Sequence, residues 1–183
     1  IKTGAQPFVD DILRIKAVRA TAGFDISIRL DANGAWTPEE AISNLDQMKD
    51  LAIEFIEEPT AGIENLRKVK DASDIPIAAD ETAADLQTIK TLVDQRSVDY
   101  IVVKPSAIGG IVPASEVVRT TQESGLNIVV TSMLESSVGI RTAAHFASSF
   151  QLTNPAPGLA TSYLLVDDLV SPLRLHDGHI HLD

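Results

Sequence analysis

The chain contains no cysteine among its 183 residues. That absence removes a disulfide frame, a thiol nucleophile and a zinc-thiolate centre, and makes the cytoplasm the expected compartment. Positive charge is also scarce: 15 Lys and Arg stand against 26 Asp and Glu, for a net charge of -11. Such a balance argues against nucleic acid or an anionic membrane as a partner. No apolar run approaches the roughly 18 residues that a membrane span requires, and the N-terminus lacks the basic-then-apolar pattern of a signal peptide. No Gly-x-Gly-x-x-Gly follows a strand and no Walker sequence is present, so a nucleotide-binding fold has no support. The remainder is 44% hydrophobic, enough to bury a sizeable core in one domain or a large part of one. The first residue is Ile1, inside an apparent motif, as expected of a fragment whose own N-terminal part is missing.

The most informative stretch that is present is Phe55-Ile56-Glu57-Glu58-Pro59. The apolar run from Ile53 to Ile56 predicts a buried strand, which stops at two carboxylates and a proline that cannot continue a ladder. The same event recurs. Ile26 to Leu30 ends in Asp31, Ile75 to Ala79 ends in Asp80-Glu81, and Tyr100 to Val103 ends in Lys104-Pro105. These ends fall roughly two dozen residues apart, the length of one strand plus one crossover helix.

Helical patterns fill the intervals. Phe8, Ile12, Ile15 and Val18 or Arg19 share one spacing, with Gly23 placed to stop that helix. Thr37-Pro38-Glu39-Glu40 predicts a capping box with proline in the first turn, and its helix presents Ile42, Leu45 and Met48. Further helices carry Leu66 and Val69, then Leu86, Ile89 and Val93, then Val117 and Val118 between Gly109-Gly110 and Gly125. Leu126 to Val130 predicts a strand ending at Thr131-Ser132. A small-residue helix over about 138–150 precedes a short last strand at Pro157 to Thr161. The repetition predicts a parallel α/β protein. Polar residues at the ends of nearly every strand favour a barrel over a doubly wound sheet, where ligand groups cluster at one switch point. Residues 1–172 form this domain, and the alternating tail 173–183 predicts an edge strand.

Asp31, Glu57 and Asp80, on neighbouring strand ends, form an all-oxygen set suited to Mg²⁺, or to Mn²⁺. Lys2 precedes them and Lys104 follows them, which places an amine on either side. This combination suits removal of a proton next to a carboxylate, with charge stabilised by the ion and one amine acting as base. The lysine pKa of about 10.4 must then fall toward roughly 7 to 8.

The series RLDANGAW, FIEEP, AADET and VVKPSAIGG, with Lys2 at a strand end, resembles the enolase superfamily in its muconate-lactonizing-like branch. The resemblance covers nearly the whole chain. It implies a (β/α)7β TIM-like barrel, here without its first strand and its N-terminal capping domain. It further implies Asp31, Glu57 and Asp80 as metal ligands and Lys2 and Lys104 as catalytic lysines. By position, Arg29 and Asn33 support the metal shell, and Gly109, Ser132 and Ser136 line a substrate pocket. KPSAIGG, TSMLESSVG and PGLAT are most similar to the o-succinylbenzoate synthase group. That group implies a Mg²⁺-dependent lyase that dehydrates a hydroxycyclohexadiene carboxylate through an enediolate, in menaquinone biosynthesis. Two alternatives are an N-succinylamino-acid racemase or dipeptide epimerase using the same lysines, and a non-catalytic fragment. The expected partner is a small carboxylate, and a homo-oligomer is compatible with the sequence.

Several residues carry plainer readings. Glu58 and Glu81 are expected as solvated strand ends or caps. Trp36 is expected to pack. His176, His179 and His181 are expected on the surface, and His145 in a structural role.

Overall fold

The computed structural model describes residues 1–182. It divides into two compact units, Ile1–Ala83 with Lys90–Tyr100, and Ala84–Ile89 with Ile101 onward.

The first unit holds α1 (Phe8–Ala22), β1 (Ile28–Asp31), α2 (Pro38–Asp46), a 3-10 turn at Lys49–Leu51, β2 (Ile53–Glu57), α3 (Ile63–Asp71) and β3 (Ile77–Ala79). β1 pairs with β2 and β2 with β3, in parallel. Parallel neighbours need a crossover, and α2 and α3 supply it. Leu45 and Met48, then Leu66 and Val69, are buried along with Leu30, Phe55, Ile56 and Ile77 of the strands. Thr37 closes the predicted capping box: its backbone N–H donates to Glu40 Oε2 at 2.8 Å, and Glu40 N–H donates to its hydroxyl at 3.3 Å. Trp36 is packed as expected, edge-on to Phe8 with ring centroids 6.0 Å apart.

α1 departs from the expected apolar stripe. It ends at Gly23 as predicted, but its buried residues are Asp11, Ile15 and Arg19, while Val18 is exposed. Two charged side chains face inward because each satisfies buried backbone. Arg19 donates to the carbonyls of Gly23, Ile26, Leu51 and Ala52. Asp11 accepts from the Gly4 N–H at 2.7 Å. The strand expected from Ile75 begins at Ile77; the N–H of Ile75 is taken by the Ser73 hydroxyl, and Pro76 has none to give.

α4 (Leu86–Asp94) and β4 (Tyr100–Val103) run across the division between the units along the chain. The second unit continues with α5 (Ile111–Ser124), β5 (Asn127–Val130), α6 (Ser137–Ser149), a 3-10 turn at Ser162–Leu164, and the short strands β6 (Leu175–His176) and β7 (His179–Ile180). Gly125 ends α5 in the left-handed conformation, φ 77°. The last strand expected at 157–161 is reduced to one parallel bridge between Thr131 and Gly158. The tail, expected as one edge strand, folds back on itself: Asp177 and Gly178 both take positive φ, and β6 and β7 pair antiparallel around them. Leu173 is buried with Ile140, Ala143, Ala144 and Leu159. His145, His176, His179 and His181 are exposed. Asp183, the end of the expected tail, lies outside the described residues.

Candidate metal and proton-transfer site

In the first unit the parallel register sets Asp31 beside Glu57, at the last rung of β1 and β2. Glu57 is in turn beside Ala78, so Asp80 follows β3 by one residue at the same edge. Three strands thus deliver a carboxylate at their C-terminal ends, as the acid-ended apolar runs predict. Lys2 forms a parallel bridge to Asp31, fixed by Thr3 N–H to the Asp31 carbonyl at 2.8 Å and Asp31 N–H to the Ile1 carbonyl at 3.0 Å. Its ammonium donates to Asp31 Oδ2 at 2.5 Å and to Asn33 Oδ1 at 3.0 Å. Burial works to lower the Lys2 pKa, but the hydrogen bond it donates to Asp31 and the charges of Asp31, Glu57 and Glu81 outweigh it and hold Lys2 above the usual lysine value.

Asn33 completes the edge. Its N–H donates to Asp31 Oδ1 at 2.9 Å and its amide to Glu81 Oε1 at 2.8 Å. Its φ of 46° lies in the left-handed region that Asn tolerates. Arg29 is ion-paired with Glu54 at 2.7 Å and lies over the Phe55 ring.

Among the described residues, no group of three or more His, Cys, Asp or Glu side chains stands together as a ready metal cage. The donor set nevertheless fits a hard divalent cation. Asp31 and Glu57 are adjacent in register, all the offered atoms are oxygens, and Asp31 already holds a cationic ammonium.

Sequence reasoning missed Glu58. Expected as a solvated end or cap, it is 1% exposed. Its carboxylate accepts from the N–H of Asp80 at 2.8 Å, the N–H of Thr82 at 3.2 Å and the Thr82 hydroxyl. Burial pushes its pKa up, against the hydrogen bonds from Thr82 and Asp80. The signal was the acid doublet itself, since in a strand successive side chains face opposite ways and only one of the pair can share Asp31's side.

In the second unit, Lys104 directly follows β4. Gly109 takes φ 100° just before α5. The Ser132 hydroxyl lies 3.3 Å from that of Thr161. Ser136 occupies the N-cap of α6 without a side-chain capping bond. The capping acceptor is Asp168, which takes the Ser137 N–H at 2.9 Å and the Ser137 hydroxyl at 2.6 Å. No helix among the described residues is long and apolar enough to cross a membrane.

Parallel β/α units with acid at successive strand ends place the chain in the β/α-barrel fold class. The family described as "Enolase C-terminal domain-like" matches residues 1–183, and the chain belongs to it, within the enolase superfamily. It is 38% identical over 153 residues to the L-Ala-D/L-Glu epimerase of Bacillus subtilis (strain 168), covering 81% of this chain and 42% of that protein. It is 32% identical over 164 residues to the o-succinylbenzoate synthase of Thermobifida fusca (strain YX), covering 90% of this chain and 51% of that protein. A dipeptide epimerase structure from Enterococcus faecalis V583, complexed with Mg and the dipeptide L-Leu-L-Tyr, superposes with a TM-score of 0.85 at 34% identity, over 93% of this chain and 48% of that one. The chain spans about half the length of the curated relatives it matches. Those relatives are enzymes.

Proposed function

We propose that the protein of which this chain forms part is a divalent-cation-dependent lyase that removes the α-proton of a carboxylate substrate, and that its reaction is the dehydration of a hydroxycyclohexadiene carboxylate to o-succinylbenzoate. The observation that carries the proton-transfer reading is the register of Asp31 with Glu57, with the Lys2 amine at the same edge. Asp31, Glu57 and Asp80 are assigned as ligands of Mg²⁺, which when bound supplies positive charge to the substrate carboxylate and so favours loss of the neighbouring proton.

Lys2 acts as base. In the present arrangement it is an ammonium bonded to Asp31, so it must leave that carboxylate and lose its proton before it can accept another. It then takes the α-proton, and the C–H electron pair moves toward the carboxylate. The ring hydroxyl departs as water, with the Lys2 ammonium as its proton source, and the ring becomes aromatic. Asn33 steers Lys2 by accepting from its amine. Lys104 is assigned to stabilise the developing negative charge as an ammonium.

The finer choice of lyase rests on the stretches KPSAIGG, TSMLESSVG and PGLAT, the features most similar to the o-succinylbenzoate synthase group. Dipeptide epimerisation is the second reading, favoured by the higher identity, 38% against 32%. The test assays the full-length protein for Mg²⁺-dependent formation of o-succinylbenzoate, and for α-proton exchange of dipeptides in D₂O, with Lys104→Ala as control. Dehydration that disappears in Lys104→Ala supports the lyase. Exchange without dehydration replaces it with the epimerase.

A further inference from the structure

Glu58 belongs to none of the roles assigned above, yet both its backbone and its carboxylate are bonded to the segments that carry the other acids. Its backbone N–H donates to the Ala78 carbonyl at 2.9 Å, and its carbonyl accepts from the Gly34 N–H at 2.7 Å. The first bond reaches the strand that precedes Asp80, and the second reaches the turn that follows Asp31. Its carboxylate then takes the Asp80 and Thr82 N–H groups and the Thr82 hydroxyl, and that hydroxyl accepts in turn from the Gly62 N–H at 3.0 Å. One residue therefore ties together the segments after β1, β2 and β3. It does so from a φ of 41°, which a residue with a Cβ rarely adopts. That backbone conformation, directly after Glu57, turns the second acid away from the first and into the interior.

We infer that Glu58 is a positioning residue: it fixes the peptide of Asp80, and through Thr82 and Gly34 the neighbouring turns, so that Asp31, Glu57 and Asp80 meet one divalent cation. This rests on the reading of those three residues as ligands. Hydrogen-bonded partners behind a ligand set its orientation, and their loss weakens metal binding roughly 10- to 100-fold. Glu58 acts on the backbone that carries the ligand rather than on its side chain.

The experiment titrates the full-length protein with Mn²⁺, followed by water-proton relaxation, alongside thermal unfolding of each variant. Glu58→Ala is expected to weaken Mn²⁺ binding by roughly 10- to 100-fold. Glu58→Gln is expected to lose clearly less than Glu58→Ala, because its amide oxygen still accepts from the Asp80 N–H, while its NH₂ faces Thr82 and gives up the bond from the Thr82 N–H. Equal losses in the two variants overturn the inference, since the bond from the Asp80 N–H, which the glutamine keeps, would then position nothing. So does native affinity in Glu58→Ala beside a loss in Asp80→Asn. Native affinity in Asp80→Asn overturns the ligand assignment itself, and Glu58 then has no ligand to position. If Glu58→Ala does not fold, Thr82→Val decides: it keeps the Thr82 N–H and removes the hydroxyl, weaker Mn²⁺ binding is expected, and unchanged binding overturns the inference.

Discussion

The segments that follow the strands are held differently in the two units. In the first they are joined mainly by backbone: Ala32 N–H to the Glu57 carbonyl at 3.0 Å, Gly34 N–H to Glu58, and Trp36 N–H to the Pro59 carbonyl at 3.2 Å. In the second, beside the backbone bonds of the Thr131 N–H to the Val103 carbonyl at 3.0 Å and the Gly158 N–H to the Val130 carbonyl at 2.9 Å, pairs of side chains add ties: Ser106 to Glu135 at 2.7 Å, Ser132 with Thr161, and Ser137 to Asp168. Backbone bonds survive most substitutions, whereas a bond between two side chains ends with either partner. The first arrangement suits groups that must keep a fixed geometry, and the second suits positions that can be altered one at a time.

The largest expected effect tests whether the chemistry sits on the backbone-tied side. Lys2→Ala in the full-length protein is expected to lower turnover by roughly 10²- to 10⁴-fold with little change in unfolding temperature, measured by steady-state kinetics. A next step is to weaken the core beneath that side. Phe55 is 1% exposed and lies against Tyr100 with ring centroids 4.7 Å apart. Phe55→Ala is expected to cost about 3–5 kcal/mol in urea unfolding. Smaller again is Thr37→Ala, which removes the cap of α2 and is expected to cost about 1 kcal/mol by the same measurement.

The smallest effect probes the side-chain-tied unit through pH. The Ser137 hydroxyl, followed by the backbone N–H groups of Ser137 and Leu169, holds the half-buried Asp168 carboxylate below its ordinary value of 3.8. A carboxylate depressed on folding stabilises fully above its unfolded pKa, and that contribution is lost as pH falls through the lower, folded value. Asp168→Asn is therefore expected to flatten the acid limb of stability below about pH 4 and leave the neutral region nearly parallel to the native curve, followed by thermal unfolding across pH.

Much of this was legible in the chain. Largely apolar runs ending in acid located β1, β2 and β3, because the buried positions of such strands are apolar; the internal Arg29 and Glu54 stand at half-buried positions and pair with each other. Thr37 and Glu40 announced α2 because a capping box is a local interaction. For Glu58 the acid doublet told only that it faces away from Glu57; its partners were not legible, since Asp80 and Thr82 lie more than twenty residues away. Between Val18 and Arg19, which the spacing left open, the structure buries Arg19, for a related reason. Periodicity assigns the inner face to apolar residues, while the structure assigns it to the residue that can satisfy stranded carbonyls. The tail misled because its alternation outweighed the Asp177-Gly178 turn.

Arg19 also bears on the order in which the chain can settle. Its guanidinium bonds the nearby carbonyls of Gly23 and Ile26 at 2.6 and 2.7 Å, and those of Leu51 and Ala52 at 2.9 Å each. The first pair exists as soon as α1 and its exit have been made. The second lies 32 and 33 residues further on. During synthesis, therefore, α1 can coil early but keeps half its clasp open until the start of β2 emerges, so the register between helix and sheet is a late, long-range event rather than a local one.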